Sequence, residues 1–222
     1  MLDTYKFIEK YKRISIIGME KNVGKTTLLN KLIADIGKTK KLGLTSIGRD
    51  GEDIDVVTNT DKPRIYVREG SIIATGRDCL SKCDITKEIL YVTNFTTPMG
   101  SIVLVRALSD GYVDIAGPSY NKQVKIIVEL MEKFGSEISI VDGALGRKST
   151  AISDVSEATI LSTGAALSLD MLKVVEETKK TVYFLRLEEI DKNIKEKIKE
   201  FKDEKAVLFY KNGEVAILEV DN

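Results

Sequence analysis

The sequence predicts an α/β fold built on a mostly parallel sheet with helices on both faces. Three features predict it. A β-branched run, Arg13 to Ile17, leads through a glycine-containing loop into an amphipathic helix. From Ser119 onward, strand-like and helix-like segments alternate, the pattern of a doubly covered parallel sheet. A chain of 222 residues suits one such domain, and residues 1–222 are expected to form it with a hairpin-rich insertion at 64–116.

Taken in order, MLDTYKFIEKYKR reads as a charged amphipathic helix with no signal-peptide core, and RISII at 13–17 as the first buried strand. Leu28, Leu29, Leu32, Ile33 and Ile36 mark one face of a helix over about 25–37, and LGLTSIG at 42–48 is a second buried strand. Residues 49–62, RDGEDIDVVTNTDK, end at Pro63 and read as an irregular functional loop. RIYV, SIIAT, EILYVT, SIVLVRAL and GYVDIAG are short strands separated by Glu69-Gly70, residues 94–100 and Ser109-Asp110-Gly111. Asp-Gly is a strong hairpin signal, so these strands are expected to extend the sheet in antiparallel fashion, with a short helix near 78–83. Ser119 is placed to cap a helix with Val124, Ile127, Val128, Leu130 and Met131 inside, ending at Gly135. Strands at 138–141 and 158–162, a helix near 167–179, a strand at 181–187, a charged helix near 189–203 and a hairpin about Asn212-Gly213 complete the chain.

Composition narrows the function. Lys plus Arg equals Asp plus Glu at 34 each, which gives no support for nucleic acid or an acidic membrane as the main partner. No apolar run reaches membrane-spanning length, so a cytoplasmic protein is expected. The chain has no histidine, which excludes Ser-His-Asp and Cys-His catalysis and the usual zinc partners. Cys79 and Cys83 are then read as reduced packing residues.

The chemistry concentrates in GMEKNVGKTT at 18–27. Backbone N–H groups that converge at a helix N-terminus surround phosphate charge, and glycine lets the backbone approach closely. In a phosphate-binding P-loop, Gly24 would provide that approach, Lys25 would neutralise the β- and γ-phosphates, and Thr26 would ligate Mg²⁺. Thr27 would reach the α-phosphate, with Lys21, Asn22 and Val23 forming the rest of the cradle. The spacing from Gly18 to Gly24 is one residue longer than the usual G-x-x-x-x-G-K-[ST].

Such a site needs an acid at the end of a neighbouring strand. Asp142, ending ISIVD before Gly143 and Gly146, fits, although a strand-ending turn aspartate has the same appearance. Asp114 of VDIAG is the competitor, because D-x-x-G occurs in phosphate-sensing switches, but its position suggests a hairpin strand. Asp50, Glu52, Asp53 and Asp55 follow the second strand, and Asp50 and Asp53 are the candidates to orient an attacking group. Arg49, Lys21, Arg147 and Lys148 are cations that could stabilise phosphate charge or simply stand at the surface. No N-K-x-D guanine-reading sequence occurs, which tilts the expected nucleotide from GTP towards ATP.

The deviant loop and IVDGALG resemble the P-loop group that includes dethiobiotin synthetase, MinD-type ATPases and molybdenum-cofactor accessory GTP-binding proteins. In dethiobiotin synthetases V-E-G-A-G-G supplies a metal-binding acid, and Asp142 stands at that acid. Lys21 is similar to the second loop lysine of deviant Walker A proteins, although that pattern would place it at Glu20. GMEKNVGKTTLLN, KPRIYVREGSIIATG, DIAGPS, VDGALGRKS and ATILSTGAALS resemble, across most of the chain, accessory proteins encoded with lysine 5,6-aminomutase. That resemblance implies a nucleotide-driven reactivase acting on an adenosylcobalamin enzyme, with the aminomutase or a second reactivase subunit as partner. A homodimer is also expected. A small-molecule ATP-dependent ligase or kinase, and a nucleotide-binding module without hydrolysis, are the alternatives.

Overall fold

The structure, a computed structural model, describes residues 8–48, 54–55, 60–61, 64–143, 155–188, 190–210 and 212–218. The chain divides into two compact units, residues 1–176 and 177–222.

The first unit opens with β1 (Arg13–Gly18), α1 (Lys25–Ile36) and β2 (Leu42–Ser46). There follow the two-residue strands β3 (Ile54–Asp55) and β4 (Thr60–Asp61), then β5 (Ile65–Val67) and β6 (Ile72–Gly76). A 3₁₀ helix at Arg77–Lys82 precedes β7 (Lys87–Thr97), β8 (Gly100–Ala107) and β9 (Gly111–Val113). Next come α2 (Asn121–Lys133), β10 (Ile138–Asp142) and β11 (Ala158–Ser162). Helix α3 (Met171–Leu185) contains the dividing position. The second unit holds α4 (Lys192–Ile198), a 3₁₀ turn at Lys199–Phe201, and the antiparallel pair β12 (Val207–Phe209) and β13 (Val215–Ile217). Gly213 turns that hairpin with φ 90°.

Seven strands form one mixed sheet in the order β11-β1-β10-β2-β6-β8-β7. The first five are mutually parallel, whereas β8 runs antiparallel to both β6 and β7. The two faces follow from the alternation of side chains along each strand. Ile14, Ile16, Leu44, Ile73, Val103 and Ile140 pack with Leu29, Leu32, Ile33 and Ile36 of α1. Ile72, Ala74, Ile102, Leu104 and Val141 pack with Val124, Ile127, Val128 and Met131 of α2. The expected α/β class and mostly parallel sheet are therefore present.

Several local expectations are corrected. β6 pairs parallel with β2 rather than extending the sheet through a hairpin. Ser109-Asp110-Gly111 does not fold β9 back on β8, because β9 pairs with β5 in a separate two-stranded sheet. Asp110 fixes that alternative by accepting from Glu69 N at 2.8 Å and from the Tyr66 hydroxyl at 3.2 Å. Residues 181–187 are not a strand: α3 continues to Leu185, its apolar positions recurring at helical spacing. The charged helix is shorter than 189–203, beginning after Asp191, which accepts from Asn193 N. Tyr120, not Ser119, precedes α2 as its N-cap, with no side-chain capping bond. Part of the irregular 49–62 segment is ordered as the β3–β4 pair. The expected N-terminal helix lies largely outside the described residues, which begin at the buried Ile8.

Candidate functional site

The loop from Gly18 to Gly24 leaves the C-terminal end of β1, a strand whose Ile14, Ile16 and Ile17 are buried. Met19 N donates to Ser162 O at 2.9 Å, which ties the start of the loop to the end of β11. The chain then reverses through Asn22 at φ 59° and Gly24 at φ 86°, both left-handed. For Gly24 that conformation carries little steric cost. Leu28 N donates to Gly24 O at 2.9 Å and so starts α1.

No side chain caps α1, and its first turn contains no acid. Helical geometry leaves the first N–H groups without intrahelical acceptors, and the helix dipole adds positive potential there. An anion is the complementary ligand. Gly18 shows how the longer loop still closes. A Cβ on Gly18 would stand 2.8 Å from Val23 Cγ2 and 2.9 Å from Lys25 Cγ and Cδ, so the lysine stem lies directly over the glycine. Val23, Lys25 and Thr26 are half-buried, whereas Lys21, Asn22 and Thr27 are exposed.

Asp142 ends β10, the strand between β1 and β2. It stands in register with Ile16 on one side and Ser46 on the other. Gly143 N donates to Ile16 O at 2.9 Å and Ile47 N donates to Asp142 O at 2.8 Å, which locks the backbone around the acid. Burial pushes the Asp142 carboxyl from 3.8 up to about 6, while the charge of Lys25 pulls it down. The sheet thus brings Gly18, Lys25 and Asp142 to one end of adjacent strands.

Asp114 is placed differently. It follows β9, and its carbonyl accepts from Thr75 Oγ1 at 3.0 Å. The segment after it braces the sheet end: Ala116 N donates to Thr75 Oγ1, Gly76 N to Ala116 O, Gly117 N to Ser46 Oγ and Gly48 N to Pro118 O. A Cβ on Gly117 would fall 1.8 Å from Ser46 O, so packing against β2 explains this glycine.

Sequence reasoning missed Asn30. Its Nδ2 donates to Arg64 O and its Oδ1 accepts from Tyr66 N, both at 3.1 Å, so one side chain of α1 pairs with β5 as another strand would. A lone amide within the apolar run of α1 was the available signal. Ser46 and Thr75 were also missed, being small hydroxyls within buried strands.

Arg49, Asp50, Glu52, Asp53, Gly146, Arg147 and Lys148 lie outside the described residues, and Asp55 is described only as backbone. Cys79 and Cys83 are free thiols. Cys83 Sγ donates to Cys79 O at 3.3 Å, and burial raises the Cys83 thiol above its ordinary range. Among the described residues no cluster of three or more His, Cys, Asp or Glu could hold a metal ion. No helix among them is long and apolar enough to cross a membrane.

The donor set fits a nucleotide–metal pair in three respects: an uncapped helix end, a glycine against which the loop lysine packs, and a buried carboxyl that feels that lysine's charge. Comparison with known protein families, curated proteins and solved structures finds no match to the chain.

Proposed function

We propose that residues 18–27 form a P-loop that binds the phosphates of a nucleoside triphosphate, ATP in preference to GTP, together with Mg²⁺. The observation that carries this reading is the packing of Lys25 over Gly18 at an uncapped helix end, one strand away from Asp142. In it, the loop backbone from Lys21 to Gly24 receives phosphate oxygens and Lys25 neutralises them. The Thr26 hydroxyl and the Asp142 carboxylate would hold the metal, and Thr27 would bind the phosphate nearest the nucleoside. Bound Mg²⁺ would add charge neutralisation at the phosphates. Asp50 and Asp53 are the proposed groups for orienting an attacking water.

We further propose that nucleotide binding serves an accessory role, reactivating an adenosylcobalamin-dependent amino-acid aminomutase. The motif resemblance across most of the chain supports this reading. Such a protein turns over slowly alone and responds to its partner.

The test is binding and hydrolysis of ATP and GTP with Mg²⁺, by the purified chain alone and with lysine 5,6-aminomutase subunits. The expected result is tight ATP–Mg²⁺ binding and hydrolysis stimulated by the aminomutase. Turnover that ignores the aminomutase but rises with a small carboxylic acid or amine would replace the accessory role with a ligase or kinase. Binding without turnover under any condition would leave a passive nucleotide module, and no binding would overturn the P-loop reading.

A further inference from the structure

Residues 114–118 cross the C-terminal ends of β6 and β2, and a buried hydroxyl holds them at each strand. Over β6, Thr75 Oγ1 donates to Asp114 O at 3.0 Å and accepts from Ala116 N at 2.9 Å. Over β2, Ser46 Oγ accepts from Gly117 N at 2.9 Å and donates to Gly48 O at 3.1 Å, with Ile115 O at 3.5 Å as the alternative acceptor. Both side chains are buried. Each hydroxyl thus supplies backbone groups of the crossing with partners that no strand provides there.

The two hydroxyls differ in what stands beside them. Ser46 is the in-register partner of Asp142 on β10, and Ile16 is the partner of Asp142 on the other side. Residues in register across parallel strands share a face, so Ile16, Asp142 and Ser46 form one row at the end of the sheet. Gly18, with the Lys25 stem over it, continues the same face two residues beyond Ile16. Thr75 stands on β6, one strand farther from Asp142.

The Ser46 hydroxyl is committed to backbone groups, so its route to Asp142 runs through the main chain. The turn Ser46-Ile47-Gly48 is held on both flanks. Ile47 N donates to Asp142 O at 2.8 Å on one side, and Gly48 N donates to Pro118 O at 2.9 Å on the other. Gly48 has a left-handed φ of 64°, and Ser46 Oγ closes the turn over it by bonding Gly48 O. Ser46 is therefore the side chain that ties the support of Asp142 to the crossing.

We propose that Ser46 is a positioning residue for Asp142: by fixing the turn that ends β2, it holds the Asp142 backbone and so the direction of the carboxylate offered to the metal. This inference rests on the nucleotide–metal reading above. Groups that orient a metal-holding side chain without touching the metal contribute about 10- to 100-fold to metal affinity.

The test has two arms and a matched control. Thr75→Val removes the other hydroxyl of the crossing, so it injures the same segment without touching the turn beside Asp142. In the nucleotide-free protein, hydrogen exchange at the Ile47 amide should quicken about tenfold in Ser46→Ala, beyond any change shared with the middle of β10. Thr75→Val should expose the Ala116 amide and leave Ile47 with β10. In the second arm, calorimetry measures ATP affinity with and without Mg²⁺. Ser46→Ala should lose about tenfold of the Mg²⁺ enhancement and keep the Mg²⁺-free affinity, whereas Thr75→Val should keep both. Ser46→Thr, which retains the hydroxyl, should restore Ile47 protection and the Mg²⁺ response. Ser46→Cys, a weaker acceptor, should fall between parent and alanine and serves the same test if Ser46→Ala does not fold. An Ile47 amide that keeps pace with β10 in Ser46→Ala, an equal effect of Thr75→Val, or a parental Mg²⁺ response in Ser46→Ala would each overturn the proposal. A parent that binds ATP with no Mg²⁺ enhancement would instead overturn the metal reading on which the proposal rests.

Discussion

Asp142 and Lys25 form an acid–cation relationship across adjacent elements: burial lifts the carboxyl to about 6, and the lysine charge opposes that lift. The folded pKa lies above the unfolded one, so this group favours the folded state when protonated. Its stabilising effect is complete below pH 3.8 and is lost as the pH rises through about 6. Asp142→Asn should therefore raise the stability of the nucleotide-free protein at about pH 8, by up to about 3 kcal/mol, and change little near pH 4. Urea melts at both pH values check this. Equal melts at the higher pH would show that the carboxylate is not held at a cost.

That cost has a functional counterpart. If Asp142 helps to hold Mg²⁺, the more stable Asn variant should lose Mg²⁺-dependent nucleotide affinity, the trade expected where a site residue is kept at the expense of stability. Nucleotide titrations with and without Mg²⁺ should show a metal enhancement in the parent that rises between about pH 5 and pH 7, as the carboxyl ionises. The Asn variant should show a flat profile.

Lys25→Ala should reduce ATP–Mg²⁺ affinity by about 10- to 100-fold, the size expected for a charge-assisted contact. Lys25 is half-buried and Lys21 is exposed, so Lys21→Ala should have the smaller effect. Calorimetric titration of both variants tests the ranking. Parental affinity in Lys25→Ala would remove the loop from nucleotide binding.

Gly18→Ala should act through Lys25. Its new methyl would lie 2.9 Å from two carbons of the lysine stem and 2.8 Å from Val23 Cγ2. Overpacking of this kind costs about 1 to 3 kcal/mol, and the lysine stem can move to relieve part of it. The affinity loss in Gly18→Ala should then be sub-additive with that in Lys25→Ala, because both remove the same contact. Additive losses in the double-mutant cycle would show that Gly18 and Lys25 work independently.

Much of this end of the sheet was legible in the sequence because it depends on local pattern. Ile14, Ile16 and Ile17 announce a buried strand, and Gly24 before Lys25 announces the left-handed turn into α1. Asp142 was legible because a strand of buried residues runs directly into it. Pairing between distant segments was less accessible. Asp110-Gly111 has hairpin chemistry, yet Asp110 bonds to Glu69 and Tyr66 and so directs β9 to β5. Residues 181–187 were ambiguous for another reason: a short β-branched and aromatic run suits either a strand or a helix. Gly117 suggested a phosphate switch, whereas the absence of a Cβ is needed for contact with Ser46 O.

Asn30 yields the last prediction, because it joins the helix of the candidate site to the β5–β9 pair by two 3.1 Å hydrogen bonds. Beyond this joint stand Tyr66 and Tyr112, edge to face at 5.3 Å, with the Arg64 guanidinium 5.3 Å from the Tyr112 ring centre. Asn30→Leu keeps a similar volume but removes both bonds, leaving Tyr66 N and Arg64 O without this partner. The cost should be about 1 to 3 kcal/mol in global stability. The loss should be largest locally, so the Tyr66 amide should exchange hydrogen faster by more than the amides in the buried β10 strand, which should speed up only in proportion to the lost global stability. If α1 shifts when nucleotide binds, the parent should show nucleotide-dependent protection at Tyr66 and the Asn30→Leu variant should not. Unchanged exchange at Tyr66 in the variant would show that β5 is held by β9 alone.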